Sequence, residues 1–120
     1  MTRAVKPLFL LVLPLLAGLA VAATPRAARA DVACTGPAGG HLGAAPACDR
    51  LAALLAGRGV SVTLELTRDE PQLLAGRLVW QAGGQRRAGP VVEVTARDRP
   101  LTAAAGDRLV RGLLAVSDLP

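Results

Sequence analysis

Alternation of apolar and polar residues is the clearest structural signal in this 120-residue chain. From Val60 to Thr67, every even-numbered residue is apolar and every odd-numbered residue is polar. Successive side chains of a β-strand point to opposite faces, so this pattern predicts a strand with one buried face and one solvated face. A second strand is predicted over residues 74–81. Its apolar face carries Leu74, Gly76, Leu78 and Trp80.

Turn-forming residues separate the predicted strands. Residues 68–71, with the sequence Arg-Asp-Glu-Pro, predict a polar turn whose two carboxylates lie in solvent. Gly83–Gly84 marks a second turn, which we expect Gln85–Arg87 to extend. Pro90 precedes a third strand over residues 91–96, and its position suits a strand start or a sheet edge. Because short connections favour neighbouring antiparallel strands, the three strands are predicted to form a meander.

Helical spacing flanks the strand region on both sides. Residues 48–56 predict a short helix with leucines 51, 54 and 55 on one face, ended by Gly57. Residues 102–116 predict a C-terminal helix with Thr102 as its N-cap. Its apolar stripe comprises Ala105, Leu109, Val110, Leu113, Leu114 and Val116. The expected fold is therefore α+β in two layers: a short helix, a three-stranded antiparallel meander, and a C-terminal helix packed on one face of the sheet.

The first thirty residues have the order of a cleavable secretory signal peptide: a short basic start, an apolar core and then small residues. Two cleavage positions fit, one after Ala22 or Ala23 and one after Ala30. We favour the second, because the composition changes at Asp31. The chain is therefore expected to be exported to the periplasm or the extracellular space, with no membrane span after cleavage.

Removing residues 1–30 changes the charge of the chain. The full chain carries 14 basic and 9 acidic residues, and four of the basic residues but none of the acidic ones precede Asp31. Ten basic residues then face nine acidic ones, so the exported part is nearly neutral. Such a chain lacks the broad positive field that attracts nucleic acid, and we expect no nucleic-acid partner. Its length suits one small domain, which we place at residues 49–120.

Cys34 and Cys48 close a loop rich in glycine, proline and alanine over residues 31–48. An even number of cysteines in an exported protein predicts a disulfide. A second interpretation of the two cysteines remains open. His41 lies midway between them, and two thiolates with an imidazole are ligands for a soft metal. On that reading the Cys34-His41-Cys48 loop would make the protein a carrier of a small ligand or metal.

Catalytic motifs are absent from the sequence. His41 is the only histidine, no serine lies in a nucleophile elbow, and the glycine pair at residues 83–84 lacks the lysine of a phosphate loop. We therefore expect a protein that is not an enzyme and that uses no cofactor. Two features are candidate partner contacts. Trp80 is either a core anchor or an interface residue, and Arg86 and Arg87, with Arg77 nearby, either lie in solvent or bind an anion or an acidic partner.

These observations favour a small, non-catalytic protein of the bacterial envelope that acts by binding another envelope protein. Its third strand offers an edge that a partner strand could extend. The alternative is the periplasmic carrier built on the cysteine loop. The partner and the oligomeric state are not encoded in any motif of the sequence.

Overall fold

A computed structural model describes residues 31–120, so the predicted signal peptide lies outside the described residues. Within them the fold is α+β, as the sequence predicts. The elements in chain order are β1 (Asp31–Thr35), α1 (Ala45–Leu54), β2 (Ser61–Glu70), β3 (Leu73–Ala82), β4 (Gln85–Ala88), β5 (Val92–Thr95) and α2 (Ala104–Val116).

The sheet is mixed and contains five strands, which corrects the predicted three-stranded meander. Two strands are additional, β1 and β4, and β1 lies in a segment that the sequence predicted as loop. It pairs in parallel with β2, from Asp31 opposite Ser61 to Thr35 opposite Glu65. The connection between these parallel strands runs through α1, which begins at Ala45, three residues before the predicted start. The β2–β3–β4 and β3–β5 pairings are antiparallel.

Strand β2 continues beyond its predicted end and contains a β-bulge. Leu66 pairs with Gly76 and Arg68 pairs with Ala75, so Thr67 is the extra residue. A one-residue shift of this kind moves the following side chains to the opposite faces of the sheet. The predicted turn over residues 68–71 is therefore wrong in part. Residues 68–70 belong to the strand, and only Pro71 and Gln72 connect it to β3.

Strands β4 and β5 share one edge of β3. The two-residue turn Gly83–Gly84 has positive φ angles of 59° and 78°, which glycine adopts without strain, and Gln85–Arg87 are strand rather than turn. The Gly89 N–H donates to the Leu78 carbonyl at 2.9 Å, and Val92 pairs with Gly76. Pro90 and Val91 thus lie opposite the single residue Arg77, as a bulge between β4 and β5.

One hydrophobic core lies between the sheet and the two helices. The predicted apolar faces of β2 and β3 are buried as expected. Both helices contribute to the same core, through Leu51 from α1 and Leu109 and Leu113 from α2. The N-cap of α2 is Ala103, without a side-chain cap, so the predicted role of Thr102 is wrong. Val116, predicted in the buried stripe, is 50% exposed.

A network of salt bridges on the surface joins α1 to α2. Asp107 of α2 accepts hydrogen bonds from Arg111 Nε at 3.0 Å and from Arg50 Nε of α1 at 2.6 Å. These hydrogen bonds, that from Arg111 first and that from Arg50 second, hold the pKa of the Asp107 carboxyl below its ordinary value. A carboxyl whose pKa is lower in the folded state stabilises the fold at neutral pH. That contribution is lost as the pH falls through the folded-state pKa.

We therefore expect Asp107→Asn to lower the thermal unfolding midpoint modestly at neutral pH, since the ion pairs are partly solvated. The difference from the wild type should disappear in strongly acidic buffer, where the carboxyl is protonated in both states. Thermal denaturation followed by circular dichroism over a pH series measures this. Asp118→Asn, at an exposed carboxylate outside any described ion pair, is the matched control and should show no such trend. A difference that persisted at acidic pH would contradict the electrostatic explanation.

Candidate functional site

The cysteine loop is a structural element of this fold. Cys34 of β1 and Cys48 of α1 form a disulfide, as predicted, so neither sulfur is available as a thiolate. His41 Nε2 donates to the Leu101 carbonyl at 2.9 Å, which requires the tautomer protonated at that nitrogen. Among residues 31–120, no three His, Cys, Asp or Glu side chains lie close enough together to hold a metal ion. The loop thus ties β1, α1 and the segment before α2 together.

Asp69 holds this loop in place, a role that the sequence did not indicate. The bulge at Thr67 places Asp69 opposite Leu74, on the helix-covered face, where it is only 7% exposed. Its Oδ1 accepts from the Leu42 N–H at 2.9 Å and its Oδ2 from the Gly43 N–H at 2.7 Å. The predicted solvated corner is therefore wrong for Asp69. Its neighbour Glu70 is exposed and bonds to Arg68, whose guanidinium lowers the pKa of the Glu70 carboxyl.

Trp80 lies at the border between the core and an open groove. It is 5% exposed and belongs to the core cluster, on the same face as Leu78, as predicted. One side of the residue also lines a groove of about 670 Å³ beside the β3–β4 hairpin. We call this the Trp80 groove; its lining residues include Trp80, Ala82, Arg87, Val116, Asp118 and Leu119.

The three arginines predicted as one contact surface lie on two faces of the sheet. Arg86 pairs with Gln81 and Arg87 with Trp80, so the two side chains point in opposite directions. On the open face, Glu65 accepts from Arg77 Nε at 2.8 Å and from Arg86 Nη2 at 3.4 Å. Arg87 lies on the other face and lines the Trp80 groove. Of the ion pairs found among residues 31–120, none includes Arg87.

The outer edge of β4 and β5, residues 85–95, has no neighbouring strand within the described part of the chain. We call it the β4–β5 edge. Because the Gly89 N–H bonds to β3, antiparallel geometry directs the backbone groups of Gln85 and Arg87 inward and those of Arg86 and Ala88 outward. All four residues of β4 are exposed, and Val91 in the adjoining bulge is 51% exposed. The edge thus presents unpaired backbone donors and acceptors beside a partly apolar groove.

The chain matches no protein-family model, no curated protein and no solved structure. No helix within residues 31–120 is long and apolar enough to cross a membrane.

Proposed function

We propose that this protein is an exported, non-catalytic envelope protein that works by binding another envelope protein along the β4–β5 edge. The observation that carries the proposal is the outward-facing backbone of Arg86 and Ala88 in an exposed strand. An unpaired strand edge is a template for another strand, and main-chain hydrogen bonds then supply affinity. The disulfide supports the export part of the proposal, because such bonds persist in oxidising compartments.

The local composition favours a regulated binding edge over indiscriminate aggregation. Natural sheets protect their edges with short strands, charged residues, prolines and bulges. The β4–β5 edge has all four: β4 is four residues long, it carries Arg86 and Arg87, and the bulge contains Pro90. Because of these features, only β4 can pair with an added strand. The adjacent Trp80 groove then selects the partner.

Hydrogen exchange tests whether the edge is open. In the isolated protein, the Arg86 and Ala88 amides should exchange rapidly, while the Arg87 amide, directed at β3, should be protected. Nuclear magnetic resonance resolves the three amides individually. Full protection of Arg86 and Ala88 in the isolated monomer would rule out the edge as a vacant binding site.

In-cell photo-crosslinking tests whether the edge is occupied. A photoreactive amino acid at Gln85 should form one dominant adduct with a second envelope protein, identified by mass spectrometry. The matched control places the same group at Ala53, an exposed residue of α1. Because α1 packs against β1, at the opposite side of the sheet, this position should give no such adduct. Absence of any adduct from Gln85 in cells that express the protein well would overturn the proposed function.

A further inference from the structure

Arg87 indicates the chemistry of the partner that binds the β4–β5 edge, an inference that rests on the proposed function. We propose that the partner contributes an extended acidic segment, which adds to β4 as a strand. The segment sets a carboxylate against Arg87 and an apolar side chain in the Trp80 groove.

Charge complementarity points to an acidic segment. Within the described chain, Arg87 lies in no ion pair, and it projects on the groove side of β4. Arg86 on the other face shares Glu65 with Arg77 and is 59% exposed. A strand added to β4 would place its side chains directly beside these two arginines, where opposite charges stabilise cross-strand pairs and like charges destabilise them. Arginine also pairs bidentately with carboxylates, which fixes the register of the added strand.

Two other possible occupants of the β4–β5 edge do not complement the positive charge of Arg86 and Arg87. A second copy of this chain that paired through β4 in antiparallel fashion would bring Arg86 and Arg87 of both copies together. Residues 1–30 of the chain itself carry four basic and no acidic residues, so they would repel the same edge. Neither occupant supplies the carboxylate that Arg87 lacks.

The Trp80 groove requires an apolar side chain in the partner segment, in addition to the carboxylate. Side chains two residues apart in a strand share a face, so a carboxylate opposite Arg87 places the next side chain on that face over the groove. Trp80, Ala82, Val116 and Leu119 supply apolar surface there, and Asp118 is the only acidic residue among the described lining residues. An apolar side chain fits this surface. The expected signature is therefore an acidic residue and an apolar residue separated by one position.

Synthetic peptides test the signature with the purified exported protein. The acidic probe is a peptide in which every second residue is threonine. The residues between the threonines are glutamates and one valine, which therefore share one face of the strand. The control probe has lysine in place of glutamate. The acidic probe should saturably shift the Arg86 and Ala88 amide resonances and slow their exchange, and the lysine probe should not. Equal binding of both probes, binding of neither, or shifts confined to α1 would overturn the proposal.

Variants separate the contributions of charge and strand pairing. Arg87→Glu should weaken the acidic probe by about tenfold and gain affinity for the lysine probe, a reversal that partial unfolding does not produce. Ala88→Pro removes an outward N–H without breaking a hydrogen bond to β3, and it should abolish binding of the acidic probe while the thermal midpoint is retained. Arg108→Glu, at an exposed position of α2, should leave binding of the acidic probe unchanged. Arg87→Glu that binds both probes like the wild type would overturn the role of Arg87.

Other results of these experiments would assign the β4–β5 edge to a different occupant or show which of the two proposals fails. Concentration-dependent protection of Arg86 without a peptide would assign the edge to a second copy. An edge protected only when residues 1–30 are retained would assign it to the chain itself. If Gln85 crosslinks a partner in cells but the acidic probe does not bind, the acidic segment is wrong and the binding function stands. If no partner is crosslinked, the binding function itself fails.

Discussion

Replacing both Cys34 and Cys48 with alanine will lower the free energy of unfolding by about 3 kcal/mol, the value expected for closing a loop of this length. The two cysteines are 14 residues apart and join β1 to α1. In a domain of about ninety residues, such a loss corresponds to a fall of roughly 10–20 °C in the unfolding midpoint. Urea denaturation monitored by circular dichroism measures the difference.

The effect should be concentrated at the β1 side of the sheet. In residues 31–120, β1 pairs with β2 as its one neighbouring strand, and the disulfide is its covalent link to α1. The Asp31 N–H donates to the Val60 carbonyl, so the Ala33 and Thr35 amides also point towards β2, and their exchange should accelerate more than exchange of β3 amides. A thiol reductant should destabilise the wild type but leave the double variant unchanged. Equal stability of oxidised wild type and double variant would show that the disulfide does not stabilise the fold.

Asp69→Ala will destabilise the protein by about 3 kcal/mol, because it removes two hydrogen bonds to a buried carboxylate and leaves their donors without partners. Those donors, the Leu42 and Gly43 amides, hold the loop between β1 and α1 against β2. Asp69→Asn keeps the shape but offers one acceptor for two donors, so it should lie between the wild type and Asp69→Ala. Chemical denaturation of the three proteins measures this order. Glu70→Ala, at the exposed neighbour, is the matched control and should change stability far less.

Gly40 provides an independent test of the same contact. A Cβ at this position would overlap Asp69 Oδ2 and lie 2.6 Å from Asp69 Cγ, so Gly40→Ala forces the loop and the carboxylate apart. We expect a loss of about 2 kcal/mol, within the usual range for overpacking. In the Asp69→Ala background the Oδ2 and Cγ atoms are gone, and Gly40→Ala should cost less than in the wild type. Strict additivity of the two substitutions would contradict the direct contact.

The candidate site was predictable in part. The alternation over β3 identified the face that Trp80 shares with Leu78, and this face is buried. The positions of Arg86 and Arg87 in the sequence did not reveal that their side chains lie on opposite faces. That follows from their pairing with Gln81 and Trp80, once Gly83–Gly84 is a two-residue turn and β4 is a strand. The side chains of β4 are all exposed, so its sequence has no apolar alternation by which it could be recognised.

By itself, the sequence determined the α+β class, the amphipathic strands β2 and β3, the C-terminal helix and the disulfide. Each of these follows from a local period or from the chemistry of a cysteine pair. Only the tertiary structure decided that β1 is a strand, because its pairing with β2 joins segments about thirty residues apart. It also decided that Asp69 is buried, because the bulge at Thr67 reverses the faces of the residues after it. Pairing register and bulges depend on the neighbouring strand, and that information is not contained in any local segment of the chain.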